Sequence, residues 1–260
     1  GTALGLTSAF ATALGVGQSY SAGPGLGLMT FDNSGTFDVS AAASVIGAGS
    51  GAAAASAIGY TGGSTEAAFD ISNSGTMNVN AAALAATGPA RAGAFGIDLG
   101  GSEISGTVDN AGALNVRADA AGALGGLTAA TFATAIGVYF DSNVNNATLT
   151  NSGSILAEAI TDDAPLGAYA AGIYVDGGTG VGAMAIINDA GSIVARESVN
   201  GGDNFTWGDA INTVNAPNPV AISLLGDGSY YMDTYPTGPW VHGDIYGNIE
   251  LSADDTVNVA

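Results

Sequence analysis

A four-residue turn motif recurs five times at nearly constant spacing, and this recurrence limits the possible folds more than any other property of the chain. It reads Asn33-Ser34-Gly35-Thr36, Asn73-Ser74-Gly75-Thr76, Asn110-Ala111-Gly112-Ala113, Asn151-Ser152-Gly153-Ser154 and Asp189-Ala190-Gly191-Ser192, so successive glycines lie 40, 37, 41 and 38 residues apart. Around each copy the residues alternate. Four before the glycine stand Phe31, Ile71, Val108, Leu149 and Ile187; two after it stand Phe37, Met77, Leu114, Ile155 and Ile193; four after it stand Val39, Val79, Val116, Ala157 and Ala195. The intervening positions are mostly polar, with Leu156 and Val194 as exceptions. A period of two with one apolar face is the signature of a β-strand. The glycine is read as supplying an unusual backbone conformation at a bend between two strands. The column Asn33, Asn73, Asn110, Asn151 and Asp189 is read as turn residues that bond the backbone locally rather than as a continuous amide ladder.

A second motif, a glycine between apolar residues, lies about midway between turns: Leu14-Gly15-Val16, Ile58-Gly59-Tyr60, Phe95-Gly96-Ile97, Ile136-Gly137-Val138 and Ala171-Gly172-Ile173. Each repeat then contains two similar halves, each about the length of one coil of a solenoid. Stacked coils require like residues at like offsets, because neighbouring layers sit about 4.8 Å apart; a hairpin sandwich has no such requirement. The expectation is an all-β fold: a right-handed, single-stranded parallel β-helix with about 20 residues per coil, hence roughly 12 to 13 coils and a rod of about 60 Å. Residues 1–260 form one rod. The repeat fades over 200–240, which carries four of the seven prolines and both tryptophans and reads as a loop or variant coil. Alternation then returns with Ile245, Gly247, Ile249 and Leu251.

Composition supports thin layers. Of 260 residues 42 are Gly, hydrophobic residues make up 47% and aromatics only 7%, which suits close stacking of small side chains. The chain has 23 acidic residues, three Arg, no Lys and a formal charge of −20. Phosphate backbones and anionic membranes are bound through clustered cations, and Arg91, Arg117 and Arg196 are far apart in sequence, so nucleic-acid binding is excluded. Cysteine is absent, which is compatible with export. The N-terminus has no basic segment followed by an apolar core, and the apolar runs are too short to span a bilayer, so this segment is not expected to insert into a membrane.

The Asn-Ser-Gly turns, the Ala-rich half-repeats ending in Gly-Val or Gly-Ile, and the run His242–Ala260 (HGDIYGNIELSADDTVNVA) resemble the passenger domains of autotransporters and related secreted β-helical adhesins of Gram-negative bacteria. The resemblance implies a secreted or outer-membrane-anchored surface protein, exported by a β-barrel that lies outside this sequence, with adhesive or structural work. Its partners would be host or neighbouring-cell surface ligands or glycans, met by loops such as 162–165 and 201–239. Further coils or other copies of the chain would join end to end, since neither terminus reads as a cap. A self-assembling filament or surface-layer subunit is the alternative.

Catalysis is not expected. A polysaccharide lyase needs a base and cationic relief for an acidic sugar, and the single histidine, His242, stands beside glycine in a polar strand. Glycosidases need two carboxylates about 5–9 Å apart, but the pairs Asp162-Asp163 and Asp254-Asp255 are adjacent in sequence and would face opposite ways on a strand. No cofactor is expected. Calcium is the metal that Asp162, Asp163, Asp254 and Asp255 would suit, although no Gly-Gly-x-Gly-x-Asp array accompanies them.

Overall fold

The computed structural model describes residues 1–5, 8–19, 27–46, 51–122, 131–162, 167–177, 180, 182–199, 205–216, 219–225, 230–231 and 245–259. The chain order is β1 (Thr2–Gly5), β2 (Ser8–Ser19), β3 (Gly27–Asn33), β4 (Thr36–Val45), β5 (Ala52–Asn73), β6 (Thr76–Ala85), β7 (Ala90–Asn110), β8 (Ala113–Gly122), β9 (Phe132–Asn151) and β10 (Ser154–Thr161). There follow β11 (Ala168–Asp176), β12 (Met184–Asp189), β13 (Ser192–Ser198), β14 (Thr206–Trp207), β15 (Asp209–Asn215), β16 (Val220–Leu225), β17 (Tyr230–Tyr231), β18 (Ile245–Tyr246), β19 (Asn248–Glu250) and β20 (Thr256–Val259). The first sheet runs β1-β4-β6-β8-β10-β13-β18-β17; the second contains β2, β3, β5, β7, β9, β11, β12, β15, β16, β19 and β20. Pairing is parallel throughout, except that β14 lies antiparallel to β13 through Arg196–Trp207 and Glu197–Thr206.

The fold is a parallel β-solenoid of about five turns. Its turn is a whole repeat: Asn73 pairs with Asn110 and Asn110 with Asn151 in the second sheet, while Val79 pairs with Val116 in the first. Equivalent residues are therefore about 38 apart, not the expected 20. The two motifs are facing parts of one turn. In the third turn, β7 carries Gly96 in the second sheet, the chain bends at Asn110–Gly112, and β8 returns in the first sheet. A Cβ on Gly96 would stand 2.5 Å from the Gly137 carbonyl, 2.8 Å from Leu114 and 3.0 Å from Val116. Glycine here lets the apolar row of one sheet press against the backbone of the other.

The core lies between the sheets and is built in columns. Ala81 and Ala83 stack on Ala118 and Ala120 in the first sheet, Ala92 and Ala94 on Ala133 and Ala135 in the second, and all are buried, as are the larger Phe69, Leu99, Ile104 and Phe140. Small columns keep the sheets close; the dispersion of many such contacts sums to a large stabilisation. Of the residues expected inside, Val39, Ile71, Met77, Val79, Val108, Leu114, Leu149, Ile155 and Ile193 are buried. Phe37 is half-buried: it lies in the first turn, with its ring 5.6 Å from that of Phe31.

The asparagines form a continuous ladder through the interior. Nδ2 of Asn33 donates to Oδ1 of Asn73, Asn73 to Asn110, Asn110 to Asn151 and Asn151 to Asn188, each at 2.7 Å. The expected purely local bonding depended on the shorter coil, which would have placed these residues in alternate layers. The same ladder corrects the fifth turn: its member is Asn188, 2% exposed, not the exposed Asp189. One extra residue lies between Asn188 and Gly191 compared with Asn151 and Gly153, and it is accommodated by Ala190 at a φ of 53°. The shift also places Ile186, not Ile187, opposite Leu149.

The turn glycines serve a different purpose from the one expected. None of Gly35, Gly75, Gly112, Gly153 and Gly191 has a positive φ. Instead the corners nest: the Gly112 amide donates to the Asn73 carbonyl at 2.8 Å, and a Cβ on Gly112 would overlap the Gly75 carbonyl oxygen. Glycine is needed there because the next layer is so close. Over Gly35, in the first turn, a Cβ would meet nothing within 4 Å.

The last turns depart from the pattern. Among the described residues of 200–240, β15 and β16 continue the second sheet and β14 and β17 belong to the first; after them β18 lies between β13 and β17. Ile245 and Gly247 are buried, Ile249 is half-buried and Leu251 is exposed.

Candidate functional surface

Side chains 37–41 residues apart in sequence become neighbours on the outer faces. On the first sheet Asp38, Asn78 and Asn115 form a polar row, with Asn115 donating to Asn78 at 2.9 Å and Asn78 to Asp38 at 2.7 Å. Leu156 and Val194 continue that column. Two cations that are far apart in sequence meet here: Arg117 and Arg196 occupy the layers either side of Glu158, Arg117 at 3.7 Å and Arg196 in a closer pair. The Arg196 guanidinium also covers the Phe205 ring at 4.4 Å. Glu158 is only 7% exposed, so these arginines neutralise a carboxylate the fold has largely removed from water.

The outer face of the second sheet carries the most distinctive chemistry. Successive layers place Thr61, Asp98, Tyr139, Tyr174, Asn212 and Glu250 in one column. The neighbouring column holds Gly100, Asp141, Asp176 and Asn215. The rings of Tyr139 and Tyr174 stack at 5.5 Å and 27°; Phe95 approaches Tyr139 at 6.2 Å, and Tyr169 meets Tyr174 edge-on at 6.1 Å and 81°. Asn215 donates to the Tyr174 hydroxyl at 3.3 Å. Asn212 donates to Asp209 at 2.8 Å, to Glu250 at 3.2 Å and to the Tyr169 hydroxyl at 3.5 Å.

This face holds its negative charge at close quarters. Burial pushes the Asp98 carboxyl above its ordinary range; the Asp141 charge adds to the rise and a hydrogen bond from Thr61 opposes it. The Tyr139 hydroxyl is pushed up to about 12, first by burial and then by Asp141, Asp176, Tyr174 and Asp98. Tyr169 is raised further, by burial and by Asp209. Beside it, at the corner between the sheets, Glu197 accepts a hydrogen bond from the Ala170 amide at 2.9 Å. Burial raises its carboxyl to about 7; the Ala170 bond lowers it and Asp209 raises it.

The residues chosen from sequence lie elsewhere. His242 and Asp163 fall outside the described residues, and Asp162 is exposed beside β10. Asp254 is exposed. Asp255 is spent on internal bonds, accepting from Thr213 at 2.5 Å, Val220 at 2.8 Å and Ser252 at 2.9 Å, so it closes a turn. Among the described residues no group of three or more His, Cys, Asp or Glu is arranged to hold a metal ion. The acidic and aromatic face escaped sequence reading because Asp98, Tyr139 and Tyr174 become neighbours only when the chain is wound with the 38-residue turn. A comparison with protein-family models, one with curated proteins and one with solved structures each returned no match.

Proposed function

We propose that the chain is a length of right-handed β-helical rod in a secreted or cell-surface protein of Gram-negative bacteria, similar to an autotransporter passenger, with structural or adhesive work and no catalysis. The observation that carries this reading is the investment of the sequence in stacking. The Asn ladder, the Ala columns and the nested glycine corners repeat from layer to layer, and each serves the layer next to it. A stack with nearest-neighbour contacts gains stability with every layer added, which suits a spacer that holds a contact surface away from a membrane. No resident cofactor is assigned; of the four acids read as suiting calcium, Asp255 has its oxygens engaged by the chain itself.

A filament or surface-layer subunit is the second reading, since layers that stack within one chain can stack between copies as well. β2 and β3 pair with β5 on one side only, and Phe10, Leu14 and Leu28 of these strands are 69%, 56% and 64% exposed. Edge strands of this kind are templates for a further layer.

The test is protease shaving of intact cells that make the full-length protein, followed by adhesion and auto-aggregation assays on cells lacking this segment. The proposal expects accessible cleavage sites in the segment and a loss of adhesion or aggregation when it is removed. An intracellular location, or release of reducing sugars from polysaccharides that is abolished by Glu197→Gln with Asp209→Asn, would overturn it. Mass growth with concentration in sedimentation would decide for the filament.

A further inference from the structure

We infer that the aromatic face formed by Tyr139, Tyr174 and Tyr169 on the outside of the second sheet is a docking surface for an extended, Lys- or Arg-rich peptide segment of a partner protein. The inference goes beyond the proposed scaffold role and does not depend on it. Three features of the face select this occupant.

The first is the ring arrangement. Tyr139 and Tyr174 are half-buried and lie in successive layers with their rings stacked, while Tyr169 stands nearly perpendicular to Tyr174. Two ring orientations at one place offer π-faces and edges to a flat guanidinium or a methylene stem, and a cation over a tyrosine face is attracted by the ring quadrupole.

The second is charge complementarity. Asp98, Asp141 and Asp176 all act on the Tyr139 hydroxyl, and Asp209 and Glu250 on that of Tyr169. Asp98 and Glu250 share the column of Tyr139 and Tyr174, and Asp141 and Asp176 stand in the next column, whereas Asp209 is buried and bonded by Asn212. The engaged cations of the described chain, Arg117 and Arg196, are on the other sheet, Arg117 paired with Asp119 at 3.2 Å and with Glu158, Arg196 with Glu158. Arg91 stands at the start of β7, seven positions before Asp98 and about 23 Å away along an extended strand. The electrostatic demand of the face is therefore met from outside the chain.

The third is extent. The column from Asp98 to Glu250 crosses four layer steps, or about 19 Å at the spacing of paired strands. A single ammonium ion would engage one step. An extended peptide presents same-side residues about 6.8 Å apart, so three basic side chains cover about 14 Å of the acidic row and four span all of it. A neutral glycan could stack on the tyrosines but would leave the crowded carboxylates without a counter-charge.

The experiment uses fluorescein-labelled hexa-arginine and hexa-lysine in anisotropy titrations with the whole chain at two salt concentrations, beside tetramethylammonium and a neutral β-glucan hexamer. Tyr139→Ala with Tyr174→Ala leaves the net charge unchanged; Tyr139→Leu with Tyr174→Leu keeps the bulk and is used if the alanine pair unfolds. Asp141→Asn with Asp176→Asn removes two charges from the face, and Asp32→Asn with Asp70→Asn removes two from exposed positions elsewhere on the same sheet. Binding of the basic peptides should weaken about tenfold in the tyrosine and Asp141/Asp176 variants and less than about twofold in the Asp32/Asp70 control. Equal loss in the control, or unchanged affinity without the rings, would reduce the effect to the general charge of the chain and overturn the inference. Binding of the glucan in place of the peptides, or of tetramethylammonium as tightly as the peptides, would also overturn it.

Discussion

Replacing Asn110 with alanine should cost the rod much more than the same change at Asn33, although the two residues occupy the same position in the repeat. Asn110 is 1% exposed and sits mid-ladder, accepting from Asn73 at 2.7 Å and donating to Asn151 at 2.7 Å and to the Ser154 carbonyl at 3.2 Å. Its removal orphans the Asn151 carbonyl oxygen on one side and takes from the Asn73 amide its better acceptor on the other. Each buried polar group left without a partner costs about 1–3 kcal/mol. Asn73 keeps a bond of 3.3 Å to the Ala113 carbonyl, so its share lies near the lower limit, and the total is about 3 kcal/mol. Asn33 is 8% exposed and is the first rung. Its loss deprives the buried Asn73 oxygen of a donor, while the Thr76 carbonyl at 3.2 Å and the Gly35 amide at 3.3 Å, which also bond it, stand at less buried positions, for about 1 kcal/mol. Urea unfolding followed by circular dichroism, with hydrogen exchange of the amides flanking each site as a local check, measures the difference of about 2 kcal/mol. Equal costs for the two variants would refute the claim that the ladder works as a connected interior network.

Two further perturbations test other features. Gly112→Ala should destabilise by about 2–4 kcal/mol because the added carbon overlaps the Gly75 carbonyl, whereas Gly35→Ala, with open space above it, should change stability by less than about 0.5 kcal/mol; matched thermal melts compare them. The Glu197 carboxyl rises on folding from an ordinary 4.5 to about 7, so the folded state holds the proton more tightly than the unfolded one. Its contribution is therefore fully present below about pH 4.5 and is lost as pH rises through about 7. Discounted for partial exposure, that loss is about 1–2 kcal/mol, and Glu197→Gln should flatten stability over this window in urea titrations at fixed pH steps.

The repeat was legible in the sequence because stacking demands like residues at like offsets, and Val79, Val116 and Ile155 met that demand inside the rod. The turn length was not. Two glycine motifs per repeat imitate two coils, and it is the close approach of Gly59 to Met77 and Val79, and of Gly96 to Leu114 and Val116, that shows them facing each other across one turn. The misassigned rung at Asp189 has the same kind of origin: a single inserted residue, accommodated at Ala190, leaves the glycine in place and moves the asparagine. The acidic and aromatic face is a property of the winding, since Asp98, Tyr139 and Tyr174 have no relation in sequence until the true turn brings them into register.

The asparagine ladder also gives the rod a direction. All four amide bonds point the same way, from Asn33 toward Asn188, and such bonds polarise one another in a low-dielectric interior. At one end the Asn188 amide turns aside to the Gly191 carbonyl at 2.7 Å, which closes the series. At the other, the Asn33 oxygen accepts only a longer bond of 3.3 Å from the Gly35 amide within the described chain. A layer added before Asn33 would need to offer a donor, and the layer beyond Asn188, where Leu224 stands, gains nothing from the series. The molecule is thus vectorial along its axis: the amide line stops inside the chain at Asn188, with Leu224 and Val259 at the same position in the layers that follow, and two copies meeting at the Asn33 face would set acceptor against acceptor.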